Sequence, residues 1–100
     1  MVAIKKDIIR KRLSEVPDVK VFWCCNGREL KNLRELATYL PEMAEEVYQR
    51  HVSSVNNDFS NWVRDVIGDV TLANELKKAG SRATAARLVK NRLEWLQTRA

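Results

Sequence analysis

The segment Asn57-Asp58-Phe59-Ser60-Asn61-Trp62-Val63-Arg64-Asp65-Val66-Ile67-Gly68-Asp69 restricts the fold more than any other stretch of the chain. Phe59, Trp62, Val63, Val66 and Ile67 recur at helical period, so one face of this helix must be buried. Asn57 or Asp58 can accept from the orphan N–H groups at its start. Gly68 can take the left-handed conformation that stops a helix, and Asp69 can cap the next one. A helix with both ends written into it predicts short elements packed at fixed angles.

One hundred residues suffice for one domain with one core. Hydrophobic residues at 45% and charged residues at 31% describe a soluble globular chain. Three glycines and two prolines are too few for the turns of a β-sandwich. No run approaches the ~18 apolar residues of a membrane span. The lysines near the N-terminus are not followed by the apolar stretch of a secretory signal. A cytoplasmic protein is therefore expected. Cys24 and Cys25 are adjacent, so they lack the spacing of a redox or zinc motif, and they read as small core residues.

Val2–Val16 reads as a helix stopped by Pro17, with an apolar arc interrupted by Lys5 and Arg12. Val19–Cys25 is the strong strand signal. Asn26-Gly27 reads as a two-residue hairpin turn, with Arg28–Lys31 as the return strand, or else as a turn leading straight into a helix. Asn32 and Glu35 resemble a capping box before a helix ending near Leu40. Pro41 reads as the first residue of another helix. Val70–Ala79, stopped by Gly80, and about Arg82–Gln97, capped by Ser81, complete the pattern. The expected fold is mainly α: a compact bundle of about five to six short helices with one small hairpin or strand–turn in the N-terminal half. Residues 1–18 form an N-terminal helix that could be an addition, and residues 19–100 form a single helical domain.

Few residues suggest chemistry. His51 is the sole histidine, placed between Val47 and Tyr48 on an apolar arc. Acid–base work would need a partner and a cleft. The plainer reading is structural, with the ring bonded to a backbone carbonyl or to the Asn57/Asp58 cap. Arg92 projects between Leu88 and Leu96, so its guanidinium needs a partner, and Asp58, Asp65 and Asp69 are the candidates. Trp62 is expected in the core, and core is also the first reading for Trp23 and Trp95. His51, Asp58, Trp62, Gly68, Asp69 and Arg92 are thus structural candidates. No catalytic, cofactor-binding or metal-binding residue is assigned, and an enzyme is not expected.

The net charge of +5 is unevenly spread. Residues 1–20 carry six basic and three acidic side chains, and residues 77–100 carry seven and one. The middle of the chain is acidic. Lys5, Lys6, Arg10, Lys11 and Arg12 at one end, with Lys77, Lys78, Arg82, Arg87, Lys90 and Arg99 at the other, suit phosphate contacts if the two ends meet. The plain alternative is a solvated helix surface. The last three helices carry a weak helix-turn-helix resemblance, with Arg82, Thr84, Arg87 and Asn91 on the third.

The order of these pieces resembles a family of small, mostly archaeal and bacterial helical domains of unknown function. The likeness runs from Phe22 to about Leu93. It is carried by Asn26-Gly27, Glu29-Leu30-Lys31-Asn32-Leu33, Glu35-Leu36-Ala37, Leu40, Met43, His51-Val52, Asn57-Asp58-Phe59, Asn61-Trp62-Val63, Val66-Ile67-Gly68-Asp69, Leu72-Ala73 and Leu76. It implies a compact helical domain in a prokaryotic cytosol and supplies no activity. The functional expectation is a binding or regulatory module. Nucleic acid (DNA or RNA), held through the basic ends, is slightly favoured over a protein partner or a homodimer. No membrane, cofactor or small-molecule substrate is expected.

Overall fold

The computed structural model describes residues 5–100, most of which lie in six α-helices and one β-hairpin. In chain order these are α1 (Lys6–Leu13), β1 (Phe22–Trp23), β2 (Glu29–Leu30), α2 (Leu33–Tyr39), α3 (Glu45–His51), α4 (Asp58–Trp62), α5 (Val70–Lys78) and α6 (Arg82–Gln97). α4 runs on into one π-helical turn, Val63–Ile67. A mainly α bundle with a small hairpin in its first half is the architecture the sequence predicts.

Residues 2–4 of the predicted first helix lie outside the described residues. Its end falls at Leu13, short of Val16. The Ser14 hydroxyl donates to the Lys11 carbonyl at 2.6 Å, so a side chain closes the last turn before Pro17 is reached. Ile9 is buried in the common core, and α1 rests on α2, α6 and the π turn.

The hairpin is shorter than the strand signal. Asp18–Lys20 forms a 3-10 turn, and Phe22 pairs with Leu30 and Trp23 with Glu29. The turn also differs from the two-residue form, which needs positive φ at both central residues. Gly27 takes φ +90°, and no non-glycine residue described here has positive φ. The Gly27 N–H donates to the Cys24 carbonyl at 2.9 Å, and the Cys24 N–H donates to the Arg28 carbonyl at 2.8 Å. The result is a three-residue loop ending in a left-handed glycine. Strands this short do not pair stably alone. Phe22 and Leu30 anchor them by entering the core.

Side-chain caps define the helical part. Asn32, Asn57, Asp69 and Ser81 accept the backbone N–H groups of Glu35, Ser60, Leu72 and Thr84. Each such cap stabilises by about 1 kcal/mol. Glu35 reaches back as in a capping box, but to the N–H of Lys31, one residue before the cap. Pro41 does not open a helix. The Glu42 and Met43 N–H groups both donate to the Tyr39 carbonyl, and α3 starts only at Glu45. Gly80 is not left-handed, because Ala79 ends α5 by turning extended.

The core is aromatic at one end and aliphatic at the other. Phe22 and Phe59 stack at 4.8 Å, Tyr48 lies on Phe59 at 5.6 Å, and Trp62 meets Phe22 edge-on at 5.8 Å. Trp62 also donates its indole N–H to the Lys20 carbonyl at 2.8 Å, tying the 3-10 turn to α4. Leu33, Leu36, Leu40, Leu72, Leu76, Val89 and Leu96 fill the remainder.

Candidate functional site

Cations come first, because charge was the sequence feature most suggestive of a ligand. α1 packs against α6, so the two basic ends of the chain do meet. Lys5, Lys6, Arg10 and Lys11 are exposed on and beside α1, and Arg12 is half-buried. Arg87 and Lys90 stand on the outward face of α6, opposite Val89 and Leu96, beside Asn91 and Glu94. Lys77 and Lys78 are exposed in the last turn of α5, where the helix dipole favours positive charge. Among the described residues none of these cations forms a salt bridge.

Two basic residues grouped with them from the sequence have other work. Arg82 donates Nε–H to Glu45 at 3.0 Å, and its terminal nitrogen donates to the Leu40 and Pro41 carbonyls at 2.9 and 3.0 Å. It closes the C-terminal end of α2 and ties α6 to α3, so it is committed internally. Arg99 lies 3.9 Å from the centre of the Trp95 ring and donates to the Trp95 carbonyl. Neither engagement had a local sequence signal, since Glu45 is far from Arg82 along the chain.

Arg92 pairs with Asp69, of the three aspartates considered. Nε–H and a terminal N–H donate to the two carboxylate oxygens at 2.7 and 3.1 Å. Asp69 is fully buried and also caps α5 through Leu72, while Arg92 stacks on Trp95 at 4.4 Å. Asp65 bonds its neighbour Arg64 at the surface, and that hydrogen bond lowers the Asp65 carboxyl below its ordinary range.

His51 forms the second polar centre. The loop after α3 folds back through the bridge between Val52 and Asn57, bringing Asp58 to the ring. Nδ1 lies 3.0 Å from Asp58 Oδ2, and Nε2 accepts the Cys25 N–H at 3.0 Å. Asn56 donates to the other Asp58 oxygen at 2.7 Å. The His51 side chain is 10% exposed and packs on Phe22 and Phe59. Asp58 is therefore its carboxylate, and Cys25 supplies the backbone contact as a donor rather than a carbonyl.

Three core expectations need correction. Trp23 is 61% exposed, because its neighbour Phe22 takes the inward position of the alternating strand. Cys25 is exposed in the hairpin loop, whereas Cys24 is buried. Burial pushes the Cys24 thiol up to about 11, with the neighbouring Cys25 a smaller cause. Trp95 is only partly buried, held between Arg92 and Arg99.

Among the described residues no three His, Cys, Asp or Glu side chains gather at metal-binding distance, and no helix is long and apolar enough to cross a membrane. No family model matches the chain, and no curated protein or solved structure is similar to it.

Proposed function

We propose that this chain is a non-enzymatic binding module whose ligand is the phosphate backbone of nucleic acid, contacted across α1 and α6. The observation that carries the reading is the packing of α1 on α6 with exposed cations on both and no salt-bridged carboxylate among them. Lys5, Lys6, Arg10, Lys11, Arg87 and Lys90 are the contact residues, with Lys77 and Lys78 flanking. Such contacts neutralise phosphates and release counterions, so they position a nucleic acid without reading its sequence. The non-enzymatic part is supported by His51 and Arg92, whose polar atoms are engaged with separate carboxylates. Membership of the prokaryotic helical family is proposed on the Phe22–Leu93 motifs alone.

The test is titration of a labelled duplex and a labelled single strand at rising salt. Six phosphate contacts would lower affinity by about a thousandfold between 50 and 200 mM salt. Arg87→Glu with Lys90→Glu should weaken binding to both ligands. Binding that is absent, or indifferent to salt, removes the proposal.

A second reading, a protein partner or a second copy of the chain, is favoured by exposed apolar side chains: Ile8 on α1, and Val19 and Trp23 beside the hairpin. Light scattering separates them, since self-association requires a dimer that Ile8→Asp disrupts.

A further inference from the structure

We infer that His51 makes the hairpin loop pH-sensitive: a second proton on its ring breaks the hydrogen bond that holds the Cys24–Arg28 turn to α3. The ring's protonation state follows from its partners. The Cys25 N–H can only donate, so Nε2, 3.0 Å away, must offer a lone pair. The single ring proton therefore sits on Nδ1 and donates to Asp58 Oδ2 at 3.0 Å. Imidazole is the side chain that ordinarily gains its second proton between about pH 5 and 8. That proton goes to Nε2, where two donors then face each other with no acceptor between them. The contact on this side opens.

The groups around the ring decide which side gives way. From the start of α4 comes the Asp58 carboxylate, still bonded to Asn56, and it gains an ion pair with the imidazolium. From α4 itself comes the Phe59 ring at 5.5 Å. The hairpin presents the Phe22 ring at 5.1 Å and a backbone N–H, neither of which welcomes a cation at Nε2. The nearby Cys24 thiol is kept neutral by burial. On its own helix, Arg50 precedes His51 and is exposed, and among the described residues it makes no salt bridge. Protonation thus changes His51 from a link between two elements into a partner of one. The ring stays with Asp58 and releases the loop next to the exposed Trp23.

The experiment is a nuclear magnetic resonance titration of the isotopically labelled full chain from pH 8 to pH 5. It follows the His51 ring, the Cys25 amide shift and the Cys25 amide-exchange protection factor. Loss of one hydrogen bond should lower that protection factor roughly fivefold to tenfold, in step with ring protonation. The amides of Leu72 and Thr84, capped by Asp69 and Ser81, should keep theirs. His51→Gln should abolish the pH dependence at Cys25, and Asp58→Asn should move the whole transition to lower pH. The proposal is overturned if the ring titrates while Cys25 protection stays constant, if the ring stays neutral down to pH 5, or if His51→Gln shows the same loss.

Discussion

The hairpin arm, residues 14–31, and the helical run from Asp58 to Gln97 are built on opposite principles. The helical run has a side-chain cap at the start of α4, α5 and α6, an internally satisfied ion pair, and leucines or valines buried along each element. The arm has two paired residues per strand, a 3-10 turn and exposed Val19 and Trp23. It is held by contacts reaching in from elsewhere: the Trp62 indole to Lys20, His51 to Cys25, and the Val16 N–H to the Lys31 carbonyl at 2.8 Å. Local chemistry specifies the first region, and tertiary contacts specify the second. The arm can therefore respond to a change at one distant side chain, while the helical run responds only when its own polar links are cut.

The largest effect should come from Arg92→Ala. It strands the Asp69 carboxylate in the core with one backbone N–H for company, and breaking a buried pair this way costs about 3–5 kcal/mol. Urea denaturation would show it, and a loss under 1 kcal/mol would mean the helical run is less interlocked than described. Gly68→Ala comes next. Gly68 holds φ +87° with open space around it, so the cost is backbone strain alone, about 1–2 kcal/mol. Ser81→Ala removes the cap of α6 and should cost about 1 kcal/mol.

The arm gives the small effects. Trp23→Ser should shift stability by no more than about 0.5 kcal/mol, because little of the ring is buried. A larger loss would place Trp23 in an intramolecular contact. The cysteines sharpen the contrast within one turn. A thiol reagent at neutral pH should modify Cys25 in the native chain and reach Cys24 only in denaturant. Cys24 also sets a pH limit. Its thiol ionises at an ordinary 9.0 when unfolded and at about 11 when folded, so its contribution is constant below pH 9 and is lost as pH rises from there towards 11.

What was legible in the sequence follows the same division. The caps at Asn32, Asn57, Asp69 and Ser81 are read from residues three apart, and each stands where local chemistry puts it. The inward projection of Arg92 followed from helical periodicity, which also narrowed its partner to a few aspartates. The exposure of Trp23 and Cys25 was not legible, since residue type alone favours burial and the strand's inward face was taken by Phe22. Nor was the commitment of Arg82 to Glu45, Leu40 and Pro41, because long-range pairing leaves no spacing signal. Several residues of the resembling pattern prove to be caps, turn glycines and core side chains. Such roles explain a long motif through folding needs alone.

The π turn after Trp62 has a consequence for how this chain tolerates change in length. The Gly68 N–H reaches back to the Val63 carbonyl at 2.8 Å, which amounts to one surplus residue threaded into a helix. Deleting a single residue within Val63–Ile67 would restore the ordinary α ladder and swing everything downstream by about 100°. Asp69 would then point away from Arg92. Codon-scale deletions at this spot should be as damaging as any point substitution in the core, even though the excised position could be as exposed and unremarkable as Arg64.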